Sequence, residues 1–149
     1  MRKIKKMALP EKINLTEAQK KAVTTVGKNV CVSAGAGSGK TRVLVERFVH
    51  LVKEHGVSPS NILAITFTEK AANEMKRRIV GRLREEGLFQ ARQEVENAAI
   101  GTLHAFSARL LREHPIEAGV DPYFSILEAE EAEALKEKVL EETIEALAG

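Results

Sequence analysis

The segment Ala34-Gly35-Ala36-Gly37-Ser38-Gly39-Lys40-Thr41 constrains this chain more than any other. Glycines at every second position lose too much conformational entropy to sit in a regular helix or strand. Such a run instead makes a tight loop whose successive backbone N–H groups can curl around an anion. Before it lies 29–34 (NVCVSA), a short run rich in β-branched residues that reads as a buried strand. After it lies an amphipathic helix over about 39–55, with Leu44, Phe48, Leu51 and Val52 as its expected apolar face. A strand, a glycine loop and a helix in that order form a phosphate cradle, because the helix N-terminus aims free N–H groups and a positive dipole end at the loop. The spacing fits G-x-x-x-x-G-K-[ST] except that Ala34 stands in the first place, where a methyl group is free to point away. Ala36, Gly37, Ser38 and Gly39 are the expected lining of a nucleoside triphosphate site. Lys40 is expected at the β/γ-phosphates and Thr41 on Mg²⁺. A flexible Gly/Ser turn before a chance lysine is the plain alternative, and the flanking strand and helix speak against it.

The rest of the chain extends this pattern. Thr16-Glu17-Ala18-Gln19 is a capping box opening a helix to about Val26. Residues 62–67 (ILAITF) read as a second strand. Thr68 can cap a helix running to about Glu86, with Ala72, Met75, Ile79 and Leu83 inward and most of Lys76, Arg77, Arg78, Arg82 and Arg84 outward. A polar stretch at 87–97 leads to a third strand at 98–101 and a helix at 102–114. After a break at 115–122 comes a long helix over 128–147 with the stripe Leu140, Ile144 and Leu147. Strands alternating with helices predict an α/β fold with a parallel sheet built from right-handed crossovers. Three strands are few for that class.

Composition excludes several classes. No apolar run approaches the roughly 18 residues of a membrane span. The basic opening at 1–7 lacks the apolar core of a secretory signal. The single cysteine, Cys31, has no internal disulfide partner and reads as a small buried core residue. The cytoplasm fits these features. Residues 1–127 carry 21 Lys/Arg against 13 Asp/Glu, a net +8, whereas 128–149 carry 2 against 8, a net −6. A basic body suits a polyanionic partner, and equally an ordinary solvated surface. His50, His55 and His114 show no metal-ligand spacing.

Three further segments narrow the reading. They are 15–23 (LTEAQKKAV), 65–75 (ITFTEKAANEM) and 100–106 (IGTLHAF), with the glycine loop and Arg42 between the first two. In this order they resemble the opening motifs of UvrD/Rep-type superfamily-1 DNA helicases, and 110–122 (LLREHPIEAGVDP) leans toward the AddA/RecB-like helicase–nuclease branch. The resemblance implies a partial RecA-like P-loop NTPase domain over 1–115, followed over 116–149 by the start of a helical inserted domain. It implies ATP as the nucleotide, with Gln19 on the adenine edge, a role that competes with the capping box for one side chain. Arg42 is either near the base or ribose or a solvated first-turn arginine. Thr66, Phe67 and Thr68, and then Thr102, His104 and Phe106, are implied to meet single-stranded DNA, where aromatic faces stack bases and hydroxyls suit phosphates. The bland readings are a strand-end core residue for Phe67, a helix cap for Thr68 and a structural histidine for His104.

Hydrolysis needs more than this loop: a carboxylate in the Mg²⁺ shell and a second to orient water. The acidic cluster Glu128-Ala129-Glu130-Glu131 does not resemble the family's Asp-Glu motif, and the arginine fingers of a second motor domain are not among these residues. The expectation is the ATP-binding front portion of a helicase, with partners in the remainder of the motor and in a nuclease or helicase subunit. Its sheet would keep an open edge, favouring marginal stability or self-association. The alternative is a stand-alone module that binds ATP or single-stranded DNA without turnover.

Overall fold

The computed structural model describes residues 14–148. Its internal contacts divide the chain into a unit ending at Phe106 and a unit beginning at Ser107. The basic opening at 1–7 lies outside the described residues.

The first unit begins with α1 (Glu17–Thr24), nucleated by the expected capping box: Gln19 N donates to Thr16 Oγ1 at 3.3 Å and Thr16 N donates to Gln19 Oε1 at 3.0 Å. The glycine loop leads into α2 (Lys40–His55), entered through Gly39 at φ 85° and left through Gly56 at φ 63°. Strand β1 (Leu63–Thr66) is followed by α3 (Glu69–Glu85), which Thr68 caps by accepting from Ala71 N at 3.2 Å. A short helix, α4 (Phe89–Glu94), precedes β2 (Ala99–Thr102) and α5 (Leu103–Glu113). The two strands pair in parallel, with Leu63 opposite Ala99 and Thr66 opposite Thr102. The fold is therefore mixed α/β, mostly helical, around a two-strand parallel sheet.

One core joins α2 to α3. Val45, Phe48 and Val49 meet Met75, Ile79, Leu83 and Val95, with Ala64 and Ile100 of the strands packed against them. The stripe expected on α3 is buried in full: Ala72, Met75, Ile79 and Leu83. A polar clasp lies beside it. Arg82 donates through Nε to Glu46 Oε1 at 2.8 Å and through Nη2 to Glu46 Oε2 at 3.2 Å, and also binds Glu85 and Glu86, while Lys53 binds Glu86 at 3.0 Å. These bonds, the one to Glu46 first, raise the Arg82 pKa. Lys53 first, then Arg82, hold the Glu86 carboxyl below the usual glutamate range. A second small cluster sets Ala22 and Val23 of α1 against Val43 of α2. Arg47 fastens the same joint, donating to the carbonyls of Ala22 at 2.8 Å and Thr25 at 2.7 Å, which α1 leaves open at its C-terminal end.

Several expectations fail here. Residues 29–34 carry no regular structure and are exposed throughout, because a strand exists only where a neighbour takes its backbone bonds and no described residue pairs with them. Cys31 is accordingly exposed rather than buried. The buried face of α2 is Val45, Phe48 and Val49, with Val43 on the α1 side; of the expected stripe, only Phe48 is buried. Leu44 is 52% exposed and lines, with Leu51, Leu63 and Ile65, an apolar groove between α2 and β1. Position 95 within the supposed polar stretch supplies a fully buried valine.

The second unit is helical. Residues of α5 lead to α6 (Pro115–Ala118), a turn inside the expected break, and then to α7 (Ala129–Ala148). Arg112 stacks over the Phe124 ring at 4.6 Å. Leu140, Ile144 and Leu147 of α7 are exposed, so that stripe is unpartnered among the described residues. No helix among the described residues is long and apolar enough to cross a membrane.

Candidate functional site

The glycine loop is shaped by backbone geometry that favours glycine. Gly37 and Gly39 have φ of 75° and 85°, in the left-handed region that side chains disfavour. The loop closes on itself where Ser38 Oγ donates to the Gly35 carbonyl at 2.7 Å. The N–H groups of Gly37, Gly39, Lys40 and Thr41 meet no backbone acceptor among the described residues. These are unspent donors at the start of a 16-residue helix, which is what an anion requires. Lys40 folds back over the loop, its Nζ donating to Ala34 O at 2.8 Å and Gly35 O at 2.7 Å. The ammonium is thereby held at the loop, paired with two of its carbonyls. Thr41 is exposed beside it. Gly35 has no positive φ, and a Cβ at that position would meet no atom within 4 Å. Packing among the described residues therefore does not demand glycine at 35, whereas room for an anion would.

Gln19 fills the capping role and makes a further bond to the loop. Its Oε1 serves the helix cap, and its Nε2 donates to Ser38 O at 3.1 Å. The amide thus ties α1 to the glycine loop. A Cβ on Gly39 would lie 3.2 Å from Gln19 Nε2, a contact that the flexible side-chain end relieves with a small shift, so it is the positive φ that favours glycine at 39. Arg42 sits in the first turn of α2 and is exposed.

The second group of expected residues gathers at the carboxyl ends of the two strands. Thr66 and Thr102 are register partners there, and each is followed closely by a helix. Phe67 is 103% exposed, so its ring face is open and it is no core residue. Thr66 Oγ1 donates to Thr68 O at 3.0 Å, and Thr68 Oγ1 serves the α3 cap. His104 is exposed and Phe106 is half-buried. Thr102 is buried, and its hydroxyl donates to Glu69 Oε1 at 2.9 Å while accepting from Ala105 N at 3.1 Å. The basic face of α3 is largely neutralised. Lys76 pairs with Glu96 at 2.7 Å, Arg78 with Glu74, and Arg82 with Glu46.

Sequence reasoning missed Arg47 and Glu69. Both act across more than twenty positions, and no local spacing signals such a bond.

Known proteins resemble the chain over most of its length. Residues 15–148 match the family model of the UvrD/REP helicase N-terminal domain. The chain is 44% identical over 137 residues to an ATP-dependent helicase/nuclease subunit from Ligilactobacillus salivarius, covering 83% of this chain and 11% of that protein. It is 39% identical over 147 residues to the protein of the same name from Listeria innocua, covering 91% and 12%. The corresponding Staphylococcus aureus protein is 35% identical over 150 residues, covering 93% and 12%. The chain thus spans about one-ninth to one-eighth of the length of these relatives.

Proposed function

The chain belongs to the UvrD/REP helicase N-terminal domain family, and on that premise we propose that it is the ATP-binding front portion of a DNA helicase motor with a partial RecA-like fold over 1–115 and the start of a helical inserted domain over 116–149. The cradle at 34–41 carries this reading: free N–H donors, two glycines at positive φ and a lysine held over the loop. The backbone of Gly37, Gly39 and Lys40 would hold the β-phosphate, and the Lys40 ammonium would exchange its carbonyl partners for β/γ-oxygens. Thr41 would hold Mg²⁺, which when bound neutralises charge on the phosphate oxygens. Gln19 reaches adenine by releasing Ser38 O, so nucleotide contact loosens the tie between α1 and the loop. Arg42 lies toward the base or ribose.

Single-stranded DNA meets the carboxyl edge of the strands. The open face of Phe67 stacks a base, His104 donates to a phosphate, and the turns at Thr66–Thr68 and Thr102–Phe106 set their positions. The working protein is a cytoplasmic helicase or helicase–nuclease in DNA repair, with the rest of the motor supplying the carboxylates and arginines of turnover and a nuclease or helicase subunit as a further partner.

ATP hydrolysis by the 149-residue chain, with and without single-stranded DNA and with Lys40→Ala as background, tests this reading. The expected result is no turnover above that background. DNA-stimulated turnover that disappears in Lys40→Ala would mean that a catalytic acid lies within these residues or comes from another copy of the chain, and the division of labour proposed here would fall.

A further inference from the structure

Glu69 stands where a site for a polyanion should not have a carboxylate. It is the first residue of α3, directly after Thr68 and two positions from the exposed Phe67 ring. Its Oε1 accepts the Thr102 hydroxyl proton at 2.9 Å, reaching from the end of one strand to the end of the other. The same hydroxyl accepts from Ala105 N, so it fixes the first turn of α5, which carries His104. Thr102 is 7% exposed. Its proton is committed to a carboxylate and one lone pair to an amide, which leaves it no proton for a phosphate.

We propose that Glu69 is a positioning residue for single-stranded DNA, locking the Phe67 turn and the His104 turn in one register through Thr102, and that Thr102 acts as the pivot of this lock rather than as a DNA contact. The inference rests on the DNA reading above. Two features favour a lock over a chance bond. Thr66 and Thr102 already face each other as register partners, so the sheet sets the strand ends and the Glu69–Thr102 bond sets the turns beyond them. The donor is buried although the carboxylate is exposed, so removing the acceptor leaves a shielded hydroxyl without its partner. The carboxylate repels phosphate, and orientation of the two turns must outweigh that repulsion for Glu69 to help binding.

The opposed signs make the test decisive. Binding of fluorescein-labelled oligothymidylate to the full chain is measured by anisotropy over a series of salt concentrations, for wild type, Glu69→Gln, Glu69→Ala, Thr102→Val and the double variant Glu69→Ala/Thr102→Val. Circular dichroism and urea unfolding of each variant give the folded fraction used to correct the affinities. As a positioning residue, Glu69→Ala weakens binding about tenfold with the slope against log salt unchanged, because no phosphate contact is lost. Glu69→Gln retains an acceptor for Thr102 and restores most of the affinity, and the double variant is no worse than either single one. Tighter binding by both Glu69 variants would overturn the proposal and leave Glu69 as a repulsive charge. A loss in Thr102→Val that simply adds to that of Glu69→Ala in the double variant would overturn the pivot role, because a direct DNA contact would not depend on Glu69. Phe67→Ala separates the two levels: a wild type that fails to bind, or binds independently of Phe67, sinks the DNA reading itself, whereas Phe67-dependent binding indifferent to Glu69 sinks only the lock.

Discussion

Residues 29–34 and one face of α3 are both apolar stretches that sequence patterning assigns to a core, yet the first is exposed and the second buried. A helix satisfies its own backbone, so α3 needs only a surface to lie on, and α2 provides one. A strand needs neighbours for its N–H and C=O groups before its side chains can be buried at all. Apolar periodicity therefore marks a helical face that is buried where another described element offers a surface, as α2 does for α3 and none does for the stripe of α7, whereas a strand must first find a pairing neighbour. The groove of Leu44, Leu51, Leu63 and Ile65 is the same lesson from the other side, a face of α2 and β1 with no described element against it.

The sharpest break would come from paired truncations. Ile79→Ala removes a side chain with no exposed surface and should cost about 3 kcal/mol, whereas Val32→Ala should stay within about 0.5 kcal/mol. Equal losses in urea unfolding would mean that 29–34 is packed in solution after all. The clasp comes next. Glu46→Ala leaves the Arg82 guanidinium short of its principal partner in a mostly shielded place and should cost about 2 kcal/mol. A double-mutant cycle with Arg82→Met checks that the loss belongs to the pair. Thr16→Ala removes the α1 cap and should cost about 1 kcal/mol, visible as a lower thermal midpoint if α1 is part of the cooperative unit.

The smallest effect is a pH dependence. The Glu86 carboxyl titrates below its ordinary value of 4.5 because Lys53 and Arg82 favour its charged form. Its contribution is complete above about that value and is lost as pH falls through the lower folded-state value. Lys53→Met should bring the titration of Glu86, followed by carboxyl NMR shifts, back toward the ordinary range. An unmoved titration would show that Lys53 does not hold it in solution.

Helices α1 and α3 and their caps were legible from local chemistry, because Thr16 and Gln19, Thr68, and the 72-75-79-83 stripe each depend on residues three or four apart, whereas the short α4 and α6 show no such period. Strands 63–66 and 99–102 were legible as apolar runs, and their parallel pairing followed from the helix between them. The glycine loop was legible because its spacing carries its own geometry. Leu44 was misjudged because two apolar stripes run along α2, and only the position of α3 chooses between them. The bond from Gln19 Nε2 to Ser38 O was illegible because it joins α1 to a loop nineteen positions away, while the Oε1 cap three positions away was plain. The Arg47 and Glu69 bonds were illegible because side chains that meet across folded elements leave no period in the sequence.

Calorimetric titration of the chain with ATP and Mg²⁺, beside Lys40→Ala, tests the central claim most directly. The account predicts saturable binding by the wild type and at least about a tenfold loss in Lys40→Ala, with both chains equally folded by circular dichroism. Binding that Lys40→Ala leaves intact, or no binding by a folded wild type, would contradict the assignment of the glycine loop as the nucleotide site.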